Sequence, residues 1–305
     1  MTNYPTPPTV IAVGNQKGGV GKTTTAVNLA AALGIRGHRV LLIDLDPAAG
    51  ATRHLGIDGT EYEGTLELLC GDGQLEPLAI TDQTPPGVAL IPARHDLSTL
   101  DRRLTRFTDP AALLRPIVEQ ATRYDFVLLD TSPHPADLTT LVAYGSSDWF
   151  LLTALPHHLS LLGLTEACRD IGEVRRHRNP RLEILGVLLC CVDERATRSR
   201  AEIVDAIDTA MPGRRFNTRI SQATAVHECS IVGRPLFTHP MHRHHNAARQ
   251  YLRLAVEIER RIDHTEHFRD FCASSDGAPE DGRDFESFLS IVSPSTQAAS
   301  LARAS

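Results

Sequence analysis

Only two lysines occur in this chain of 305 residues, Lys17 and Lys22, and both fall inside the stretch Asn15-Gln16-Lys17-Gly18-Gly19-Val20-Gly21-Lys22-Thr23-Thr24-Thr25. Elsewhere the permanent positive charge is carried by arginine. A solvated surface accepts either residue. A compact ammonium on a flexible stem, however, can be aimed at an anion inside a tight loop where the planar guanidinium fork does not fit. The glycines let consecutive backbone N–H groups turn toward such an anion, and a helix starting just after them adds its positive dipole end. This is the chemistry of a phosphate loop. Gly18, Gly19, Val20, Gly21, Lys22, Thr23 and Thr24 cradle a nucleotide, Lys22 reaches its β- and γ-phosphates, and the Thr23 hydroxyl ligates Mg²⁺.

Two further acidic sites stand at the ends of apolar runs. Val40-Leu41-Leu42-Ile43 leads into Asp44-Leu45-Asp46 and is stopped by Pro47. Tyr124-Asp125-Phe126-Val127-Leu128-Leu129 leads into Asp130, followed by Thr131-Ser132-Pro133. Carboxylates at the carboxyl ends of parallel strands face a ligand crevice.

The elements that must position these groups are legible as alternation. Val10–Val13 reads as a buried strand and 26–33 as a helix with an apolar face. Further strand-like runs lie at 88–91, 148–152 and 184–189, with helical candidates at 110–121, 159–176, 198–210 and 245–262. This pattern predicts an α/β fold, a doubly wound, mainly parallel sheet with helices on both faces. Residues 1–8 read as a flexible lead-in and 9–262 as a single ATPase domain. The Ser-, Ala-, Asp- and Gly-rich stretch 263–305 reads as a largely disordered tail with one apolar island, Phe285–Val292.

The general phosphate-loop pattern needs a glycine where this chain has Gln16; in its place come Lys17 and Gly18-Gly19-Val20-Gly21-Lys22-Thr23. This resembles the deviant Walker A loop of the ParA/Min-type partition ATPases. The resemblance spans roughly 9–262 and extends to Gly233-Arg234-Pro235-Leu236 and Ala247-Ala248-Arg249-Gln250-Tyr251. It implies that Lys17 is a signature lysine acting in trans, so that ATP joins two copies of the chain. It implies that Asp46 orients the attacking water, with Lys17 and Lys22 as the other catalytic groups. Asp44 would lie nearer the Mg²⁺ shell, and Asp130 would hold the ion through water. Thr131–Pro135 would sense the γ-phosphate. It further implies an ATP-gated homodimer that binds nonspecific DNA as a track. A ParB-like or cargo-adaptor protein would activate hydrolysis, and the location would be cytoplasmic and nucleoid-associated. The cargo class would be a plasmid, a chromosome origin or a protein assembly.

The chain departs from the family pattern in two places. Asp46-Pro47 is followed by Ala48-Ala49-Gly50 rather than Gln-Gly, and Ser221-Gln222-Ala223-Thr224-Ala225 stands where an arginine-bearing element near the base is usual.

Composition bounds the alternatives. Net charge is −6, with 42% hydrophobic and 22% charged residues. Any nucleic-acid surface must therefore be a local patch. Candidates are Arg195, Arg198 and Arg200, followed by Arg214, Arg215 and Arg219. The six cysteines show no C-x-x-C spacing and read as reduced thiols. The start lacks a signal peptide's basic and apolar regions, and no run is long enough to span a membrane. A Min-like switch using a membrane or protein surface instead of DNA is the alternative, but a tail without a basic amphipathic helix argues against the membrane form. Residues 71–167 contain no cysteine, against a nitrogenase-type iron protein, and no tyrosine follows Tyr251, against a tyrosine autokinase. His239, His242, His244 and His245 fit no strong zinc spacing.

Overall fold

The computed structural model describes residues 6–71, 74–103, 109–134, 137–193, 195 and 197–274. Six strands form one sheet: β1 (Thr9–Gly14), β2 (Val40–Asp44), β3 (Val88–Ile91), β4 (Phe126–Asp130), β5 (Trp149–Ala154) and β6 (Glu183–Leu189). Their spatial order is β3-β2-β4-β1-β5-β6, and every pairing is parallel. Strands buried on both faces read as unbroken apolar runs, because neither face meets water. The run Val10-Ile11-Ala12-Val13 is buried throughout.

Alternation along each strand feeds two separate cores. Val10 and Ala12 join Leu41, Ile43, Val127 and Leu129 on one face. Ile11 and Val13 join Leu42 and Leu128 on the other. The first core is covered by α3 (Thr65–Cys70), α7 (Leu138–Ser146), α8 (His158–His177) and α9 (Thr197–Ala210). The second is covered by α1 (Lys22–Ile35), α2 (Gly50–His54), α10 (Thr224–Val232) and α11 (Asn246–Ser274). The other α-helices among the described residues are short: α4 (Leu75–Leu78), α5 (Leu100–Arg103) and α6 (Arg115–Glu119). This is the doubly wound arrangement that the alternation of runs predicts.

α1 is alanine-rich, a composition that favours helix and allows close packing. Residues Thr25 to Leu33 are buried without interruption, so it lies between the sheet and α11 rather than on the surface. Its far end is tied to α11, where Arg36 and His38 both meet Glu259, at 2.6 and 2.8 Å.

Two elements differ from the sequence expectation. The predicted helix 110–121 is a 3-10 turn at Pro110–Ala112 followed by the short α6. Pro116 has no N–H to donate, so it is accommodated in the first turn of a helix beginning at Arg115 rather than in the interior of a longer one. The helix expected to close at 262 continues to Ser274. Of the expected lead-in and tail, 1–5 and 275–305 lie outside the described residues, as does the island Phe285–Val292. Among the described residues, no helix is long and apolar enough to cross a membrane.

Candidate functional site

The loop between β1 and α1 is held open by its own polar groups. Asn15 donates from Nδ2 to the Thr153 carbonyl at the end of β5, 2.6 Å, while its Oδ1 accepts from the Lys17 N–H, 3.0 Å. Gly19 (φ 73°) and Gly21 (φ 88°) take left-handed conformations that strongly favour glycine. Gly21 is the N-cap of α1, and no side chain caps the helix there. The first N–H groups of a helix have no intrahelical partner, so this end offers donors and a positive dipole to an anion.

Lys22 is only 6% exposed. Its ammonium curls back over the loop and donates to the Lys17 carbonyl, 3.0 Å. Burial lowers its pKa, and Asp130 and then Asp46 oppose the shift. The charge is thus held inside the ring of backbone amides, where a phosphate would find it.

Asp44 and Asp130 are register partners at the ends of adjacent strands, and both are fully buried. Their environments differ. Asp44 accepts from Thr52 N (2.9 Å) and Thr52 Oγ1 (2.7 Å) on one oxygen and from Asp46 N (3.1 Å) on the other. Burial pushes its pKa up to about 6 even against those donors. Neither oxygen of Asp130 has a hydrogen-bond partner. Burial, then Asp44, then Asp46 hold its carboxyl well above the usual range; the nearby Thr23 hydroxyl and Lys22 ammonium offset this only in part. A buried carboxylate lacking donors is costly and is what a cation site needs before the ion arrives. The sequence expected Asp44 near the ion. The structure places it beside Asp130, with one oxygen bracing β2 against α2 through Thr52 and the other accepting from Asp46 N in the loop between them.

Asp46 is half-buried at the mouth of the site, its carboxylate accepting from Ala48 N, 2.8 Å. Thr131 ties the end of β4 to β1 through the Val13 carbonyl, 2.9 Å, and Ser132 donates to Asp137 at the start of α7. Pro135 lies outside the described residues. The structure thus gathers Lys17, Lys22, Thr23, Asp44, Asp46 and Asp130 at the carboxyl ends of the interior strands β1, β2 and β4.

Beside the loop opens a cavity of about 720 Å³, bounded by Gly21 and Thr24 at one end and by the β6–α9 connection and α10 at the other. Ser221–Thr224, the segment that departs from the family pattern, forms one wall. This size suits a nucleoside attached to the phosphates.

The arginine candidates do not gather in the same way. Arg195 is 93% exposed on its side chain and turned onto Asp193, 3.1 Å. Arg215 is clamped by both oxygens of Asp208, 2.8 and 2.9 Å. Arg214 donates to the Ile184 carbonyl, 3.1 Å. Arg219 lies in the segment between α9 and α10, and Arg198 and Arg200 lie on α9 with side chains outside the described residues. A different arginine row escaped the sequence reading. Arg249, Arg253 and Arg260 are exposed on α11, and their spacing of 4 and 7 places them on one helical face. That periodicity was available in the sequence. Glu257 and Glu259, the acids of the same segment, turn to backbone amides and Arg261 and to Arg36 and His38 respectively. In the histidine group, His239 and His242 stack at 4.4 Å and His242 meets Glu228. Among the described residues, no group of three His, Cys, Asp or Glu side chains is placed to hold a metal.

A phosphate loop after the first strand of a parallel sheet, facing an orphaned strand-end aspartate, defines a P-loop nucleoside triphosphatase. Residues 8–184 match a family model described as an AAA domain. The chain is 34% identical over 253 residues to the chromosome partitioning protein ParA of Caulobacter vibrioides, covering 82% of this chain and 93% of that one. It therefore belongs to the ParA/Min-type family of partition and positioning ATPases. The sporulation initiation inhibitor protein Soj of Bacillus subtilis is 32% identical over 252 residues, covering 82% and 97% of the two chains. Among solved structures, cobyrinic acid a,c-diamide synthase from Mycobacterium smegmatis with bound ADP and magnesium has a TM-score of 0.70 at 28% identity, over 84% of this chain and 96% of that one. The cell division ATPase MinD of Pyrococcus furiosus shares the fold, with a TM-score of 0.66 at 24% identity over 83% and 98%.

Proposed function

We propose that this chain is an ATP-driven switch that dimerises on Mg²⁺-ATP, binds DNA without sequence preference and releases it after hydrolysis. Its cargo would be a plasmid, a chromosome origin or a protein assembly. A ParB-like or cargo-adaptor protein would accelerate turnover. The observation that carries the reading is the pairing of Lys22, buried in a glycine cradle, with Asp130, a buried carboxylate without a donor.

The residues fit the nucleotide and its ion. The amides of Gly18 to Thr24 and the α1 N-terminus would take the phosphates, and Thr23 and, through water, Asp44 and Asp130 would hold Mg²⁺. Bound there, the ion would supply positive charge against the triphosphate. Lys22 adds a positive charge already withdrawn from water, which strengthens its pull on the transition state. Asp46 orients the attacking water, and the Asp44–Thr52 brace fixes the loop that carries it. Lys17 of a second copy supplies the positive charge that this chain's own loop lacks across the nucleotide. Phosphoryl transfer asks for positioning and charge rather than covalent catalysis, so turnover without the activating protein is slow.

The test is binding to random-sequence duplex DNA at one moderate salt concentration, with ATP, with ADP and without nucleotide. Binding only with ATP, weakened by Arg195→Ala or by joint replacement of Arg249, Arg253 and Arg260, is the expected result. ATP-dependent dimerisation with DNA left free would refute the DNA track and point to a protein surface instead.

A further inference from the structure

Gln16 stands where the general phosphate loop has glycine, so the chain carries a side chain just before Lys17. That side chain reaches across to α8, where its Nε2 donates to Asp170 Oδ2. The Tyr144 hydroxyl of α7 adjoins the same amide and the same carboxylate. Gln16 and Asp170 are both half-buried, which strengthens a hydrogen bond relative to one in open water. α8 also crowds the loop itself: a Cβ on Gly163 would stand 2.8 Å from Asn15 Oδ1 and 3.8 Å from Lys17 Cβ. The main chain of Lys17 is held on both sides, its N–H by Asn15 Oδ1 and its carbonyl by Lys22 Nζ, each at 3.0 Å. Asp170 lies outside the groups assigned to phosphate, ion or attacking water.

A lysine that must act on a second copy is long and flexible, so an error where its backbone starts is carried out to the ammonium. Reacting groups need support from packed and hydrogen-bonded neighbours, and a misplacement of about 1 Å can cost roughly 100-fold in rate. A bound triphosphate can organise Gly18 to Thr24 through its own oxygens. Gln16 precedes that cradle and takes its hold from α8 instead. Taking the in-trans action of Lys17 as given, we infer that Asp170 is a positioning residue, which through Gln16 sets the direction of Lys17 toward the nucleotide of a second copy. The copy that carries Asp170 is then not the copy whose ATP it serves.

The experiment compares full-chain Asp170→Ala and Asp170→Asn with the wild type. ATP affinity is titrated with a fluorescent analogue at low protein concentration, where copies stay apart, and turnover is measured at saturating Mg²⁺-ATP. Asp170→Ala should lower turnover by about 10- to 100-fold, with ATP affinity kept within about threefold. Asparagine retains an oxygen for the Gln16 amide, so Asp170→Asn should keep turnover within about threefold of wild type. Wild-type turnover in Asp170→Ala, an equal fall in its ATP affinity, or an asparagine variant as impaired as the alanine one overturns the inference. If Asp170→Ala does not fold, Gln16→Ala carries the same comparison.

A mixing arm separates action across the dimer from support of the fold. Asp46→Ala is combined with Asp170→Ala before ATP is added. In a mixed dimer the well-placed Lys17 of the first meets the intact Asp46 of the second. Turnover should rise about threefold or more above the sum of the two variants alone. Asp46→Ala combined with Lys17→Ala is the control and should recover likewise. If the control recovers and the Asp170→Ala mixture does not, the inference falls while the in-trans reading stands. If neither recovers, the in-trans reading fails and this inference fails with it.

Discussion

The two ends of the nucleotide cavity obey opposite rules. At the phosphate end, groups are left under-satisfied: neither Asp130 oxygen has a well-placed hydrogen-bond donor, the nearby Thr23 hydroxyl and Lys22 ammonium offsetting its burial only in part, and α1 begins without a side-chain cap. At the base end, Ser221 and Gln250 satisfy one another, as do Asp193 and Arg195. An unpaired buried group stores free energy that a ligand releases, while a paired group has nothing further to give. The phosphate end should therefore govern affinity and the base end should govern little.

Replacing Lys22 with alanine tests this most severely. A charge-assisted contact to phosphate is worth roughly 1.5–3 kcal/mol, so calorimetry should report ATP binding weakened by about 10- to 150-fold. Retained affinity would dissolve the contrast. Asp46→Ala should lower single-turnover hydrolysis by about 100-fold, in line with loss of a positioned proton acceptor. ATP affinity should stay within about threefold, and light scattering should find an ATP-bound dimer that persists; a mutant that stays monomeric with ATP counts against the dimer switch.

Gly21→Ala should act more mildly. Forcing a Cβ into a left-handed residue costs about 1–2 kcal/mol, and that Cβ would stand 3.2 Å from Cys190 Cβ. About tenfold weaker ATP binding is expected, with circular dichroism unchanged. The smallest effect belongs to the base end. Ser221→Ala removes one paired hydroxyl, lowering stability by about 1 kcal/mol. Chemical denaturation should detect this, while ATP affinity moves by less than about threefold. A tenfold loss would mean that Ser221 reads the ligand after all.

The same division explains what the sequence disclosed. Lys22, the glycines and the strand-end acids are chemically exacting, so their types and spacing are tightly constrained and readable from a single chain. The parallel sheet was readable for a related reason: strands buried on both faces leave unbroken apolar runs. Side-chain pairings between one element and the next were not readable. Nothing in local sequence says that Asp44 is taken by Thr52, that Arg215 is held by Asp208, or that Gln250 closes on Ser221. The row Arg249, Arg253, Arg260 lies in plain helical spacing, whereas Arg195 and Arg215 of the denser clusters are paired with Asp193 and Asp208.

The position of β1 bears on how the molecule comes into being. It precedes the other five described strands in the chain, yet it lies at the centre of the sheet, with Val10 opposite Val127 and Ile11 opposite Trp149. Its two neighbours are synthesised more than a hundred residues later. Until they emerge, the segment that bears the phosphate loop has no edge to join and stays an exposed apolar strand, a state that slows folding and invites wrong partners. A nascent chain stopped before β4 should bind no nucleotide, and one extended past β5 is the first that can. Acquisition of ATP binding during translation would thus time the closing of the sheet, since the phosphate loop is made well before the two strands that flank its own.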